Sequence, residues 1–202
     1  CNQLDLPLSI TMAGRGTAVQ SMLDLLGIES NERRIVFTVA SEEKTKKLIQ
    51  AQKRHMHIGV PGHGIVIAVP IKSVGGGKTV AFLNGETAYT PSLNYAHELI
   101  VAVCSQGCTD MVMNAARAAG ARGGTVLHGK GTGANGAPKF YNITIAQEKE
   151  MILIVAAASQ KTAIMQSILK KAGPDSKAGT IVFSLPTTQV AGFALLDNQD
   201  ET

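Results

Sequence analysis

An internal repeat constrains this chain more than any single motif in it. A repeated unit must bury its apolar face against its neighbour or against another chain. The segment Ile35-Val-Phe-Thr-Val-Ala-Ser-Glu-Glu-Lys44-Thr45 is matched at constant offset by Ile152-Leu-Ile-Val-Ala-Ala-Ala-Ser-Gln-Lys161-Thr162. Each reads as a buried strand, an N-cap region and a helix. After a one-residue shift, Ile65-Val-Ile-Ala-Val-Pro70 through Gly76 lies against Ile181-Val-Phe-Ser-Leu-Pro186 through Gly192. At the front, Leu6 to Ile10 with Gly14 and Gly27 correspond to Leu99 to Val103 with Gly107 and Gly120. Both copies then begin with a strand, a glycine turn, a helix and a glycine stop.

Helical spacing supports these assignments. Val19, Met22, Leu23 and Leu26 share one face ahead of Gly27, and Met111, Val112, Ala115, Ala116 and Ala119 do so ahead of Gly120. Leu48 and Ile49 in one copy, and Ile164, Met165, Ile168 and Leu169 in the other, mark a later helix that Gly173-Pro174 ends. The copies differ in the middle. The second inserts a strand ending at His128, a glycine-rich loop from Gly129 to Pro138, and an alternating strand from Phe140 to Ile145, where the first has only Glu29 to Glu32. The expected fold is α+β, two tandem ferredoxin-like domains of βαββαβ type, the first abridged. Residues 1–78 form the abridged copy, 79–96 a linker rich in Gly, Asn, Thr and Ser, and 97–202 the complete copy.

Composition narrows the function classes. With 202 residues, 45% of them hydrophobic, the chain has the apolar mass for a folded core, and disorder is excluded. Its longest apolar run, Met151 to Ala158, is too short to cross a bilayer as a helix. A net charge of +4, with no run of like charge, argues against a nucleic-acid partner. The basic stretch from Lys44 to Arg54 reads as a solvated helix face. Three cysteines, Cys1, Cys104 and Cys108, cannot build a disulfide framework, and a reducing, cytoplasmic setting is expected. A start at Cys1 also suits a processed lipoprotein. Leu4, Leu6, Leu8 and Ile10 alternate like a strand at once, leaving no polar tether, so an arbitrary starting residue is the preferred reading.

Several motifs invite chemistry. Gly131-Thr-Gly133-Ala-Asn-Gly136 satisfies the dinucleotide fingerprint, yet Pro138 and an alternating strand follow where a helix is required. Two readings of this loop stay open, a mobile polar loop and one whose N–H groups close on an anion with help from Lys130. Gly75-Gly-Gly-Lys78-Thr79 ends like a P-loop, but Lys72 stands where its first glycine should be, so it reads as a flexible connection. Gly14-Arg15-Gly16, between strand and helix, reads first as a structural turn. The histidines His55, His57 and His63, and the cysteines Cys104 and Cys108, lack the spacing of a closed metal site, and no metal is expected. Cys108 at a helix N-terminus is the one candidate nucleophile. No paired carboxylates or local triad define an enzyme, and no catalytic residue is assigned.

The run from Ala118 through Gly123-Gly-Thr-Val-Leu-His-Gly-Lys-Gly-Thr-Gly133, with Glu148-Lys-Glu-Met-Ile-Leu-Ile-Val155 and Thr180-Ile-Val-Phe-Ser-Leu-Pro186, resembles the P-II nitrogen-regulatory family and its P-II-like relatives. The likeness covers about residues 97 to 193, and the first half resembles a degenerate copy without the long loop. It implies a ferredoxin-like fold, a homo-oligomer of trimeric type, and a small effector, commonly an adenine nucleotide, held in clefts between subunits. It also implies a loop that docks on a target protein, and no catalysis. By resemblance the loop base is His128, Gly129, Lys130, Gly131, Thr132 and Gly133. The phosphate-holding loop before the last strand corresponds to Asp175-Ser-Lys177-Ala-Gly179-Thr180, and in the first copy to Pro61-Gly62-His63-Gly64. Thr180 and Gly64 stand where the family carries its phosphate-binding lysine. The reading is a regulatory protein signalling through residues 129–138, with an assembly module without ligand, or a cysteine enzyme using Cys108, as alternatives.

Overall fold

The structure is a computed structural model and describes residues 9–17, 32–58, 60, 63–71, 96–131, 139–140, 143–144 and 147–192. Ten strands and three helices lie in these residues. The strands are β1 (Ser9–Gly16), β2 (Glu32–Thr38), β3 (Val66–Ala68), β4 (His97–Ser105), β5 (Thr125–Gly131), β6 (Lys139–Phe140), β7 (Ile143–Thr144), β8 (Gln147–Ala157), β9 (Ile181–Pro186) and β10 (Gln189–Ala191). The helices are α1 (Glu42–His55), α2 (Thr109–Arg117) and α3 (Ala158–Ala172). The expected helix from Val19 to Leu26, the strand residues Leu4, Leu6 and Leu8, the linker 79–95, and Gly75 to Thr79 lie outside the described residues.

Two compact units divide the chain. One comprises Met12–Ile35 and His97–Leu185, the other Cys1–Thr11, Val36–Ala96 and Pro186–Thr202. The division does not follow the expected boundary, because residues of the first half belong with the second.

In the larger unit the strand order β2-β1-β5-β8-β4-β9 contains a complete βαββαβ module. β8 lies between β4 and β5, pairing antiparallel with β4 from His97↔Ala157 to Ser105↔Lys149 and with β5 from Thr125↔Leu153 to Gly131↔Gln147. This is the ferredoxin-like α+β fold expected for the second half. The alternation of β4 and β8 sends Ile100, Ala102 and Cys104, and Ile152, Ile154 and Ala156, into one core. Val112, Met113, Ala115 and Ala116 of α2 and Ile164, Ile168 and Ala172 of α3 close it from the helical side.

The glycine turn expected at Gly14 is instead strand. β1 runs through it because β5 offers a partner, pairing Arg15↔Val126 and Gly16↔Thr125. A Cβ at Gly14 would require the Ile35 Cδ1 methyl to move and would sit 3.0 Å from the Val126 carbonyl, so a side chain there would need the neighbours to give slightly. Thr17 fastens the strand end, exchanging hydrogen bonds with the Gly124 N–H (2.8 Å) and carbonyl, while Arg117 donates to the Thr17 carbonyl.

The expected strand from Phe140 to Ile145 is replaced by the two-residue strands β6 and β7, which pair with each other, and the long hairpin partner of β5 starts at Gln147. In the smaller unit β3 pairs antiparallel with β10, a strand the sequence reading missed. In an abridged copy of the repeat β3 would stand beside β1, as β9 stands beside β4; among the described residues that pairing does not occur. Ile49, Ile58 and Ala191 form the small core there, with Val66 packed against it.

Candidate functional site

The described part of the loop base rests on the β5–β8 ladder. Gly129, Lys130 and Gly131 were expected to open the loop, but the ladder carries β5 on to Gly131. Backbone pairing with β8 overrides their loop-like composition. Thr132, Gly133 and the rest of the loop to Pro138 lie outside the described residues.

Period-two alternation puts His128 and Lys130 on the face of β5 that carries buried Val126, and puts Glu148 and Glu150 on the face of β8 that carries buried Ile152. Basic side chains therefore face carboxylates across the ladder. Lys130 Nζ lies 3.6 Å from Glu148 and His128 Nδ1 lies 3.7 Å from Glu150.

Glu150 was not singled out by sequence reasoning, yet it is the most constrained polar residue here, only 3% exposed. Its carboxylate accepts from the Thr109 hydroxyl at 2.6 Å and from the Thr109 N–H at 3.1 Å. Cys108, at the N-cap of α2, makes no side-chain cap bond, so Glu150, 41 positions from Thr109, supplies the cap. Burial pushes the Glu150 carboxyl up, but the Thr109 hydroxyl, the Gly107 and Thr109 N–H groups and His128 outweigh it, and the group is held below the ordinary carboxylate value. A signal for this was legible: Glu150 falls in phase with Ile152, Ile154 and Ala156 on the core side of β8.

Cys108 is buried at 4% exposure, beside a helix terminus that Glu150 already compensates. The Cys104 thiol is pushed up to about 11, first by burial and then by Glu150 and Cys108. Burial of Cys108 limits access to its thiol. Among the described residues no group of three or more His, Cys, Asp or Glu is placed to hold a metal ion.

The turn between α3 and β9 holds Lys177, Gly179 and Thr180. Lys177 and Gly179 are exposed and Thr180 is fully buried. The turn is closed on itself: Gly173 N–H donates to Leu169, Ser176 N–H to Gly173, Gly179 N–H to Ser176 and Thr180 N–H to Ala172. The Ser176 hydroxyl donates to the Gly173 carbonyl at 2.8 Å and accepts from Ala178 N–H at 3.2 Å. Gly179 has φ +54°, the left-handed turn conformation that suits glycine. The turn also fixes the end of β4, since Ser105 N–H donates to Ala178.

His63 and Gly64 belong to the smaller unit, and Gly62 lies outside the described residues. His63 Nδ1 is 3.1 Å from the Met56 carbonyl and its ring stands edge-on to His57, with centroids 6.2 Å apart. Gly64 has φ +108°.

No helix of the described residues is long and apolar enough to cross a membrane. No curated protein matches the chain. Among solved structures, the crystal structure of Arabidopsis thaliana PII bound to citrate is similar, with 19% identity, a TM-score of 0.36, and coverage of 46% of this chain and 76% of that one. The family model of nitrogen regulatory protein P-II matches residues 97–193, the span that holds the βαββαβ module, its hairpin and its closing turn. Residues 97–193, just under half of the chain, are thus similar to the P-II family.

Proposed function

We propose that this chain is a regulatory signalling protein that binds a small effector and reports it to a target protein through residues 129–138. The family match over 97–193 carries this reading. The hairpin supports it, because β5 and β8 stay paired up to Gly131↔Gln147, giving the loop a rigid base tied by Glu150 to α2. An effector that binds one loop state more tightly than another shifts the population toward that state, and the shift is the signal.

The protein acts in the cytoplasm as a homo-oligomer, a trimer by family likeness, with no nucleic-acid partner and no catalytic step. The repeat remains part of the proposal, with the first half as a reduced second copy. Limited proteolysis of the purified chain tests the reading, using cyclic nucleotides, AMP, ADP, ATP, 2-oxoglutarate and bicarbonate in turn. Cleavage within 129–138 should slow with at least one of them. Identical cleavage with every ligand overturns the effector role. A second reading, an assembly module without ligand, is favoured by the exposed apolar side chains Ile181 and Phe183 on the edge strand β9, 65% and 44% exposed. It predicts a stable oligomer by light scattering and no saturable binding.

A further inference from the structure

The end of the β5–β8 hairpin meets the N-terminus of α2 through one cross-strand pair. His128 stands opposite Glu150 in the ladder, half-exposed where Glu150 is buried. The two carboxylate oxygens have different tasks. Oε2 accepts from the Thr109 hydroxyl and N–H, while Oε1 faces His128 Nδ1 at 3.7 Å, beyond hydrogen-bond length. A neutral imidazole has one N–H and can leave Nδ1 as an acceptor, whereas the imidazolium donates from both nitrogens. Only the charged ring is bound to offer Oε1 a donor and an opposite charge.

The groups around His128 come from four elements. On β8, Glu150 is held ionised by Thr109 and the Gly107 N–H, Glu148 faces Lys130, and Lys149 lies on the other face and donates to Ser105. On β4, the Cys104 thiol opposite Glu150 is pushed up to about 11. At the start of α2, Cys108 is buried and Asp110 exposed, and on β1 the exposed Arg15 stands opposite Val126. Histidine is the side chain whose ordinary titration falls between about pH 5 and 8. Just beyond it Gly129 has no neighbour that a side chain would touch, so the last pairs of the hairpin have little else to anchor them.

We propose that His128 is a proton-operated tie. On taking up a proton from solvent its imidazolium closes on Glu150, which then holds β5 as well as α2; on losing the proton, Glu150 caps α2 alone. The device needs no effector and stands or falls apart from the regulatory reading. NMR of the full chain between about pH 5.5 and 8 tests it. The Thr109 amide resonance should move in step with the His128 ring, because both lean on Glu150. Exchange protection of the paired amides within Gly129–Gly131, corrected for intrinsic rates, should be roughly two- to fivefold higher at the acid end, the worth of an opposite-charge cross-strand pair. His128→Gln should abolish both effects, and His128→Lys, charged throughout, should keep the acid-end protection at pH 8. A Thr109 resonance that stays still while the His128 ring titrates overturns the proposal. So does a pH dependence that survives in His128→Gln, or a His128→Lys protein that loses protection as the native one does.

Discussion

The helices α1 and α3 occupy matching places in the sequence repeat, yet they are held by different means. α1 carries its own instructions. Ser41 accepts from Lys44 N–H as the N-cap, Glu42 and Glu43 sit in the first turn, Lys53, Arg54 and His55 in the last, and Glu42–Lys46 and Glu43–Lys47 pair along its side. Among its residues only Ile49 is buried. α3 has Ala157 at its N-cap with no side-chain bond and no acid in its first turn, but Ile164, Ile168 and Ala172 are fully buried. One helix is written locally and the other is made by its core. α2 resembles α3, since its cap, Glu150, comes from another strand. The copy with the richer core can dispense with local signals.

Core truncation should break the contrast most visibly. Ile168→Ala, which empties a fully buried site, is expected to cost about 2–5 kcal/mol in a denaturant melt. Ile49→Ala should fall at or below the low end of that range, because among the described residues its core is small, with Ile58, Ala191 and Val66 beside it. Equal losses would mean that α1 depends on packing as much as α3 does.

Acid titration examines the distant cap. The native Glu150 carboxyl lies below its ordinary value, so the stability it contributes is fully present above the unfolded value of about 4.3. That contribution is lost as pH falls through the lower native value. Glu150→Gln should therefore destabilise the protein at neutral pH and flatten its loss of stability below about pH 4.3. Parallel curves for the two proteins would show that the carboxylate contributes nothing through its charge.

Ser41→Ala gives the smallest effect, about 1 kcal/mol for a lost N-cap. It should appear as faster amide exchange in the first turn of α1 with the exchange of α3 unchanged. A loss of protection in both helices would contradict independent control.

How much of this was readable beforehand follows the same division. The βαββαβ order of residues 97–186, the helix at Glu42–His55, the glycine turn at Gly107 and the glycine stop at Gly120 were legible, because they rest on local spacing and turn chemistry. Gly14 was misread because its strand conformation depends on β5, more than 100 residues away, and Gly129 to Gly131 because β8 pairs with them. At the candidate site, Lys177 and Lys130 were found as charges by eye. That Lys130 faces a carboxylate, and that the turn around Lys177 uses up its own donors, are products of register and closure that no list of residues displays. Glu150 was missed although its phase with Ile152 and Ile154 announced it.

The attachment of β1 to β5 also bears on the order in which this chain folds. Thr17 and Gly124, which lock the two strands together, are 107 residues apart. Contacts of such separation close a long loop before they return any stabilisation, and they slow folding. On the ribosome β1 emerges before β5 and finds that partner only after β5 has been made. Until then its edge is open, so the interval between synthesis of Thr17 and of Gly124 is when the nascent chain is most exposed to pairing with the wrong strand.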